Sequence, residues 1–374
     1  MTPLSTTRPV PASGAPAALV ELSARLGNDP RLVQGGGGNT SMKAGDVFWV
    51  KASGTWLAHA RDRDVFVRLP LADVRAAMQR ADAEDALTAM APPGGLRPSI
   101  ETSLHALLPH PVVAHVHSVN AIAWAARRDA EAALAKALDG VAWAWVPYRR
   151  PGLPLTAAIR TSLEAAASPP DVLLLGNHGL VVGGADCDAV EARLHDVERR
   201  LSRPARAAAP PDAGALRAAN DLDWVMHDWG MLDASMPDGS GPDARAADAP
   251  SLHAIATDPV AAAIAMRGAL YPDHVVFLGE RAEAVDAARP LSRMRAEVAA
   301  AGRTPPDWAL VPGAGLLLAP GLSDGARAML GCLADVALRC DAADRMRYLD
   351  VEDVAALMGW EAEAYRRARD NAAN

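Results

Sequence analysis

The chain has 374 residues, half of them hydrophobic and 22% charged, a balance that supports a packed core and excludes wholesale disorder. At about 150 residues per domain, this length gives two or three domains, or one large domain with additions. Its 37 basic and 45 acidic residues leave a formal net charge of −8, which argues against a nucleic-acid binder, since such a protein shows a basic face, but leaves room for a local pocket that takes a small anion.

Three cysteines, Cys187, Cys332 and Cys340, cannot all pair within one chain and form no CxxC. They read as free thiols, so a reducing cytoplasm is the expected location. The first 21 residues lack an apolar core and a cleavage signal. No run of about 18 apolar residues occurs, so no membrane partner is expected.

Residues 1–15, rich in Pro, Ser and Thr, read as a flexible tail. Leu19, Leu22 and Leu26 recur at helical spacing and predict a helix over 16–26. The run Gly35-Gly36-Gly37-Gly38-Asn39-Thr40-Ser41 reads as a loop throughout. Residues 47–52 read as a strand that ends at Ser53-Gly54-Thr55. A turn at 92–95 leads into Arg97-Pro98-Ser99, and a helix is expected over 100–108 with Ser99 as its N-cap. Residues 112–117 alternate, which puts Val113, His115 and His117 on one face of a strand. Apolar runs at 172–175 and 180–182 flank Gly176-Asn177-His178-Gly179 and read as a hairpin. Val190, Leu194, Val197 and Leu201 mark a helix, with Asp188 and Glu191 at capping-box spacing. Residues 202–215 and 234–250 are loop-like and precede a second α/β half. There the expected strands lie at 274–278 and 308–311, followed by a turn at 313–315, the run Leu316-Leu317-Leu318, and helices over 324–345 and 351–370.

Four segments stand out as candidates for chemistry, each against a plainer reading as an ordinary strand face, turn, helix start or loop. His115 and His117, two apart on a strand, offer two imidazoles side by side, about 7 Å apart at the backbone. His178, pinned between glycines, projects from its turn. Three neutral imidazoles with an open position make a catalytic rather than a structural zinc site. Glu101 lies fourteen residues before His115, and it reads either as a helix-dipole charge or as a general base beside the metal. The fourth segment joins 35–41 to Lys51-Ala52-Ser53-Gly54-Thr55, where glycines and hydroxyls suit a phosphate cradle. It is neither GxxxxGK[ST] nor GxGxxG, because Thr40 stands at the third glycine position.

In this order, GGGGNTS, KASGT, RPSIET, HVHS and GNHGLVV resemble the class II aldolase/adducin family. RPSIETSLHALLP, YPDHVVF, VPGAGLLLA and LDVEDVAALMGWEAEAYRR make the chain look closest to the aldolase part of the bifunctional rhamnulose-1-phosphate aldolase/alcohol dehydrogenase proteins, whose dehydrogenase module this sequence does not contain. The resemblance implies an α/β protein with a three-layer α/β/α aldolase core over 16–203, a linker or loop-rich insertion over 204–250, and an additional C-terminal α/β portion over 251–374. It implies a divalent metal, Zn2+ or else Mn2+ or Co2+, held by His115, His117 and His178, with Glu101 as the catalytic acid or base. Asn39, Ser53, Gly54 and Ser99 match positions that hold a substrate phosphate, and Thr40 and Lys51 lie beside them. Ile100 stands where some members have a second serine, which removes one hydroxyl from that pocket. The implied activity is retro-aldol cleavage of a ketose 1-phosphate, with a phosphorylated sugar as the partner and a homo-oligomer, a tetramer, as the assembly. Pentulose-phosphate 4-epimerases and sugar-acid-phosphate decarboxylases share this platform and are the alternative, as is a metal-free, adducin-like binding module, which would lack the histidines. None of the four tyrosines, Tyr148, Tyr271, Tyr348 and Tyr365, is placed by spacing as the acid that protonates the aldehyde product.

Overall fold

Strand alternation sets the frame of the first half. In the strand Val47–Lys51, Phe48 and Val50 are buried on one face while Trp49 turns to the other, as a period of two requires. The computed structural model describes residues 14–92, 94–166, 168–226 and 252–372. The expected flexible tail and the loop at 234–250 lie wholly or almost wholly outside these residues.

Seven strands form one sheet: β1 (Asn39–Ala44), β2 (Val47–Lys51), β3 (Phe66–Pro70), β4 (Val112–Val116), β5 (Trp143–Val146), β6 (Val172–Leu175) and β7 (Gly179–Gly184), in the order β3-β2-β1-β4-β7-β6-β5. Neighbours are antiparallel except for the parallel pair β5–β6, whose connection carries the helix Leu153–Ala165. On one face, Leu19, Val20 and Ala24 of the helix Ala17–Gly27 pack with Phe66, Met42 and Trp49. On the other, Phe48, Val50, Val67 and Leu69 meet the helix Leu71–Ala77, and Val113, Leu173, Leu175 and Val181 meet Leu104, Leu108, Leu155 and Ile159. Helices thus cover both faces, the three-layer α/β/α arrangement expected.

The described residues divide into two compact units: those within 14–117, 138–175 and 179–199 form the first, and those within 118–137, 176–178, 200–226 and 252–372 form the second. The second unit is organised around the helix Asp324–Arg339. Its Met329, Leu330, Leu333 and Val336 share a core with Ile255, Leu270, Tyr271 and Trp308. A hairpin of β8 (Trp308–Val311) and β9 (Gly315–Leu318) is extended by single bridges at Val225 and Ala284. The Trp308 indole N–H donates to the Leu278 carbonyl (2.9 Å).

Several local expectations need correction. Asn39, Thr40 and Ser41 are not loop but the start of β1, because their polar side chains find hydrogen-bond partners on both faces. The segment expected as a strand at 274–278 is the helix Pro272–Leu278. Pro272 presets the dihedral of a first helical turn, and an apolar run buried all round has no periodicity to tell helix from strand. The helix expected over 100–108 is Thr102–Leu107, and Ser99 Oγ accepts from the Glu101 N–H in the turn before it. Asp186, not Asp188, receives the Ala189 N–H at the start of the helix Cys187–Leu201. The helix expected over 324–345 stops at Arg339, and that over 351–370 is two helices, Val351–Met358 and Glu361–Ala372.

Candidate active site

Strand β1 lies between β2 and β4, with Asn39 opposite His115 and Ser41 opposite Val113. Its odd residues face the segment 101–110, which contains the helix Thr102–Leu107, and bind it rung by rung. Asn39 Nδ2 donates to Glu101 Oε2 (2.6 Å), Ser41 Oγ meets His105 Nδ1 (2.7 Å), and Lys43 Nζ donates to the Leu108 and His110 carbonyls. Thr40, on the opposite face, meets Ser23 Oγ at 2.6 Å. The structure therefore keeps Thr40 away from Asn39, since neighbours on a strand point to opposite faces.

The three histidines come together. His115 is on β4, His117 lies just beyond its end, and His178 sits at the tip of the β6–β7 hairpin. One ring nitrogen from each lies within 4.8 Å of the others, and all three residues are buried. The His115 and His117 Nε2 atoms are 3.1 Å apart. His115 Nδ1 is 3.0 Å from the Leu180 carbonyl, which can only accept, so Nδ1 carries the proton and Nε2 presents its lone pair to the site. Two ring nitrogens at that separation need a shared proton or a cation, and three imidazoles without a thiolate suit zinc and its first-row neighbours. The residues present therefore fit a divalent metal.

Glu101 Oε2 lies 3.5 Å from His115 Nε2 and is 4% exposed. Asn39 holds that same oxygen, so the carboxylate is aimed at the histidines and not at solvent. His105, behind Ser41, is held neutral: burial pushes its pKa well below the ordinary value, helped by His115, Lys43 and Lys51. The cysteines stay protonated, Cys187 pushed up to about 11 and Cys332 and Cys340 to about 12, in each case mainly by burial.

The loops of the expected phosphate cradle are adjacent. The Ser53 N–H donates to the Arg97 carbonyl (2.9 Å) and the Ser99 N–H to the Lys51 carbonyl (3.0 Å), which ties 51–53 to 97–99. A Cβ on Gly36 would lie 3.7 Å from Gly54 Cα, so the glycine run rests on the 53–55 turn. Gly54 itself has φ +71°, a conformation that glycine adopts without strain. Lys51 is 1% exposed, and its Nζ donates to the carbonyls of Gly36 (2.6 Å) and Gly38 (2.9 Å). Its ammonium shapes the loop from beneath. Asn39, Ser99, Glu101 and His115 are thus linked, Ser53 and Gly54 stand in the neighbouring turn, and Thr40 is elsewhere. Sequence reasoning missed the Leu180 carbonyl, Ser41 and His105, which only strand register reveals, and it passed over Asn177, whose signal was an asparagine in a glycine-flanked turn.

Among known proteins, residues 17–202 match the Class II Aldolase and Adducin N-terminal domain family. A curated relative, the uncharacterized oxidoreductase YuxG of Bacillus subtilis (strain 168), is 36% identical over 183 residues, which is 44% of this chain and 26% of the relative. The chain thus spans about a quarter of that relative's length. Among solved structures, the N-terminal class II aldolase domain of a conserved protein from Thermoplasma acidophilum is 28% identical, covering 49% of this chain and 90% of that one, with a TM-score of 0.43. The l-fuculose-1-phosphate aldolase of Thermus thermophilus is 17% identical, covering 50% and 89%, with a TM-score of 0.35. The matched segment contains all three histidines, Glu101 and the cradle loops, so that residues 17–202 belong to the class II aldolase and adducin N-terminal domain family.

Proposed function

We propose that the protein is a metal-dependent lyase that cleaves a ketose 1-phosphate, of the rhamnulose 1-phosphate kind, into dihydroxyacetone phosphate and an aldehyde. The observation that supports this reading is the convergence of His115, His117 and His178 beside a buried carboxylate that Asn39 holds in place. A divalent cation held by the three imidazoles supplies a Lewis acid for the carbonyl and hydroxyl oxygens of the sugar and offsets the negative charge that C–C cleavage leaves.

The chain's own residues do the rest. Glu101 exchanges a proton with the sugar hydroxyl or carbon through the carboxylate that Asn39 orients. The 35–38, 53–55 and 97–99 loops, with Asn39, Ser53, Gly54 and Ser99, hold the phosphate and keep the reacting carbons in register. Lys51 acts indirectly, by fixing the carbonyls of the glycine run inward. The presence of all three histidines argues against a metal-free binding module.

The test is turnover of a panel of ketose 1-phosphates with release of dihydroxyacetone phosphate as the readout. Cleavage is expected with metal, to stop on chelation and to return on reloading. Glu101→Gln should lower kcat by about 10²- to 10⁴-fold with the metal retained. Epimerised sugar or released carbon dioxide, without an aldehyde, would assign the protein to the sister reactions instead.

A further inference from the structure

The turn that presents His178 is built on one unusual residue. Asn177 has φ +51°, the left-handed region that asparagine enters more readily than most side chains. It is 1% exposed and anchored three times. Its N–H donates to the Ala125 carbonyl (3.2 Å), and its Nδ2 donates to the carbonyls of Leu270 (2.8 Å) and Arg347 (2.9 Å). The amide orientation is fixed, because the reverse one would set its oxygen against two carbonyl oxygens.

Those two carbonyls are themselves held. The Leu270 N–H donates to His274 Nδ1 (3.3 Å), the Arg347 N–H donates to the Ala126 carbonyl (2.7 Å), and the Leu349 N–H donates to the Ala269 carbonyl (2.9 Å). Residues 176–178, 270 and 347 all belong to the second unit. Leu270 and Arg347 also lie beyond residue 202, outside the segment that matches the family.

We propose that Asn177 is a positioning residue for His178, and that through its amide the chain beyond residue 202 sets the affinity and geometry of the three-histidine site for its metal. The proposal rests on the metal-site reading above. Its physical basis is that a ligand one residue from a doubly anchored, left-handed turn loses its aim when the anchor is cut. Supporting groups of this kind typically change metal affinity by about 10- to 100-fold when removed.

The test titrates the metal-free full chain with Co2+, reading the visible absorption of the ion and, by competition with a chelator, its Kd. Asn177→Gly keeps the backbone conformation free of strain and deletes both amide bonds, whereas Asn177→Asp keeps the shape and turns the donor into an acceptor. Both should bind Co2+ about 10- to 100-fold more weakly, with an altered spectrum, and His178→Ala should weaken binding further. Folding is checked by circular dichroism in the aromatic region, and either folded variant decides the question. Wild-type affinity and spectrum in a folded variant would overturn the proposal and leave the metal site standing. Failure of the wild-type chain to take up Co2+ would overturn the metal site, and the proposal with it.

Discussion

His115 and His274 are both completely buried, and they are chemically opposite. His115 presents Nε2 to a second imidazole at 3.1 Å and to a carboxylate at 3.5 Å, with its other nitrogen tied to a carbonyl. His274 accepts a peptide N–H at Nδ1, and burial pushes its pKa down to about 3. Burial alone makes an imidazole a neutral spacer. Burial among converging nitrogens and a carboxylate gives it the geometry of a metal ligand.

The sharpest way to break this contrast is to remove each ring. His115→Ala should abolish stoichiometric metal binding and turnover together, as measured by metal analysis and product release. His274→Asn, which offers an acceptor in place of Nδ1, should keep one metal per chain. Metal retained in His115→Ala would mean that convergence of the rings does not make the site.

A second comparison sets the carboxylate of Glu101 against those of Asp273 and Glu363. The latter two are buried and share Arg366, at 3.0 Å and 2.9 Å, so a cation from the same helix as Glu363 offsets one of the two negative charges. Arg366→Met leaves two buried carboxylates without that partner and should destabilise the protein by about 3–5 kcal/mol, read by denaturant unfolding. A loss well below about 1 kcal/mol, the range of exposed pairs, would show that the cluster is solvated.

The effect that is smallest near neutral pH concerns protonation. His274 in the unfolded chain takes up a proton near its ordinary pKa of 6.5, whereas the folded chain resists until about 3. Its contribution to stability is complete above 6.5 and is lost as pH falls toward 3, by up to about 1.4 kcal/mol per pH unit. His274→Asn should flatten the stability profile by that slope between about pH 6 and pH 4. An unchanged slope would mean that the His274 ring is protonated in the folded state.

The site was largely legible in the sequence where geometry is local. The alternation of 112–117 fixes His115 and His117 on one face, and two glycines around Asn177-His178 mark the hairpin tip. It was illegible where partners are distant. A strand beginning Asn39-Thr40-Ser41 looks like a loop until Glu101, Ser23 and His105 are known to meet its side chains. The Asn39–Glu101 bond spans 62 residues, and the Asn177 anchors span 93 and 170. No local pattern encodes such pairings, because they follow from packing of the whole sheet and of the second unit. Strand β5 was missed because an edge strand of four residues, three of them only partly buried, leaves little alternation to read, and β3, at the other edge, was missed as well.

Gly179 is a point of close approach between β7 and β4. A Cβ there would fall 2.4 Å from the Val116 carbonyl oxygen and 3.3 Å from His117 Cα. Over evolutionary time, position 179 is consequently closed to every other amino acid unless β4 retreats in the same step. Because β4 carries His115 and the hairpin carries His178, a shift in one strand demands a matching shift in the other, and the spacing between the two rings is tied to this one contact.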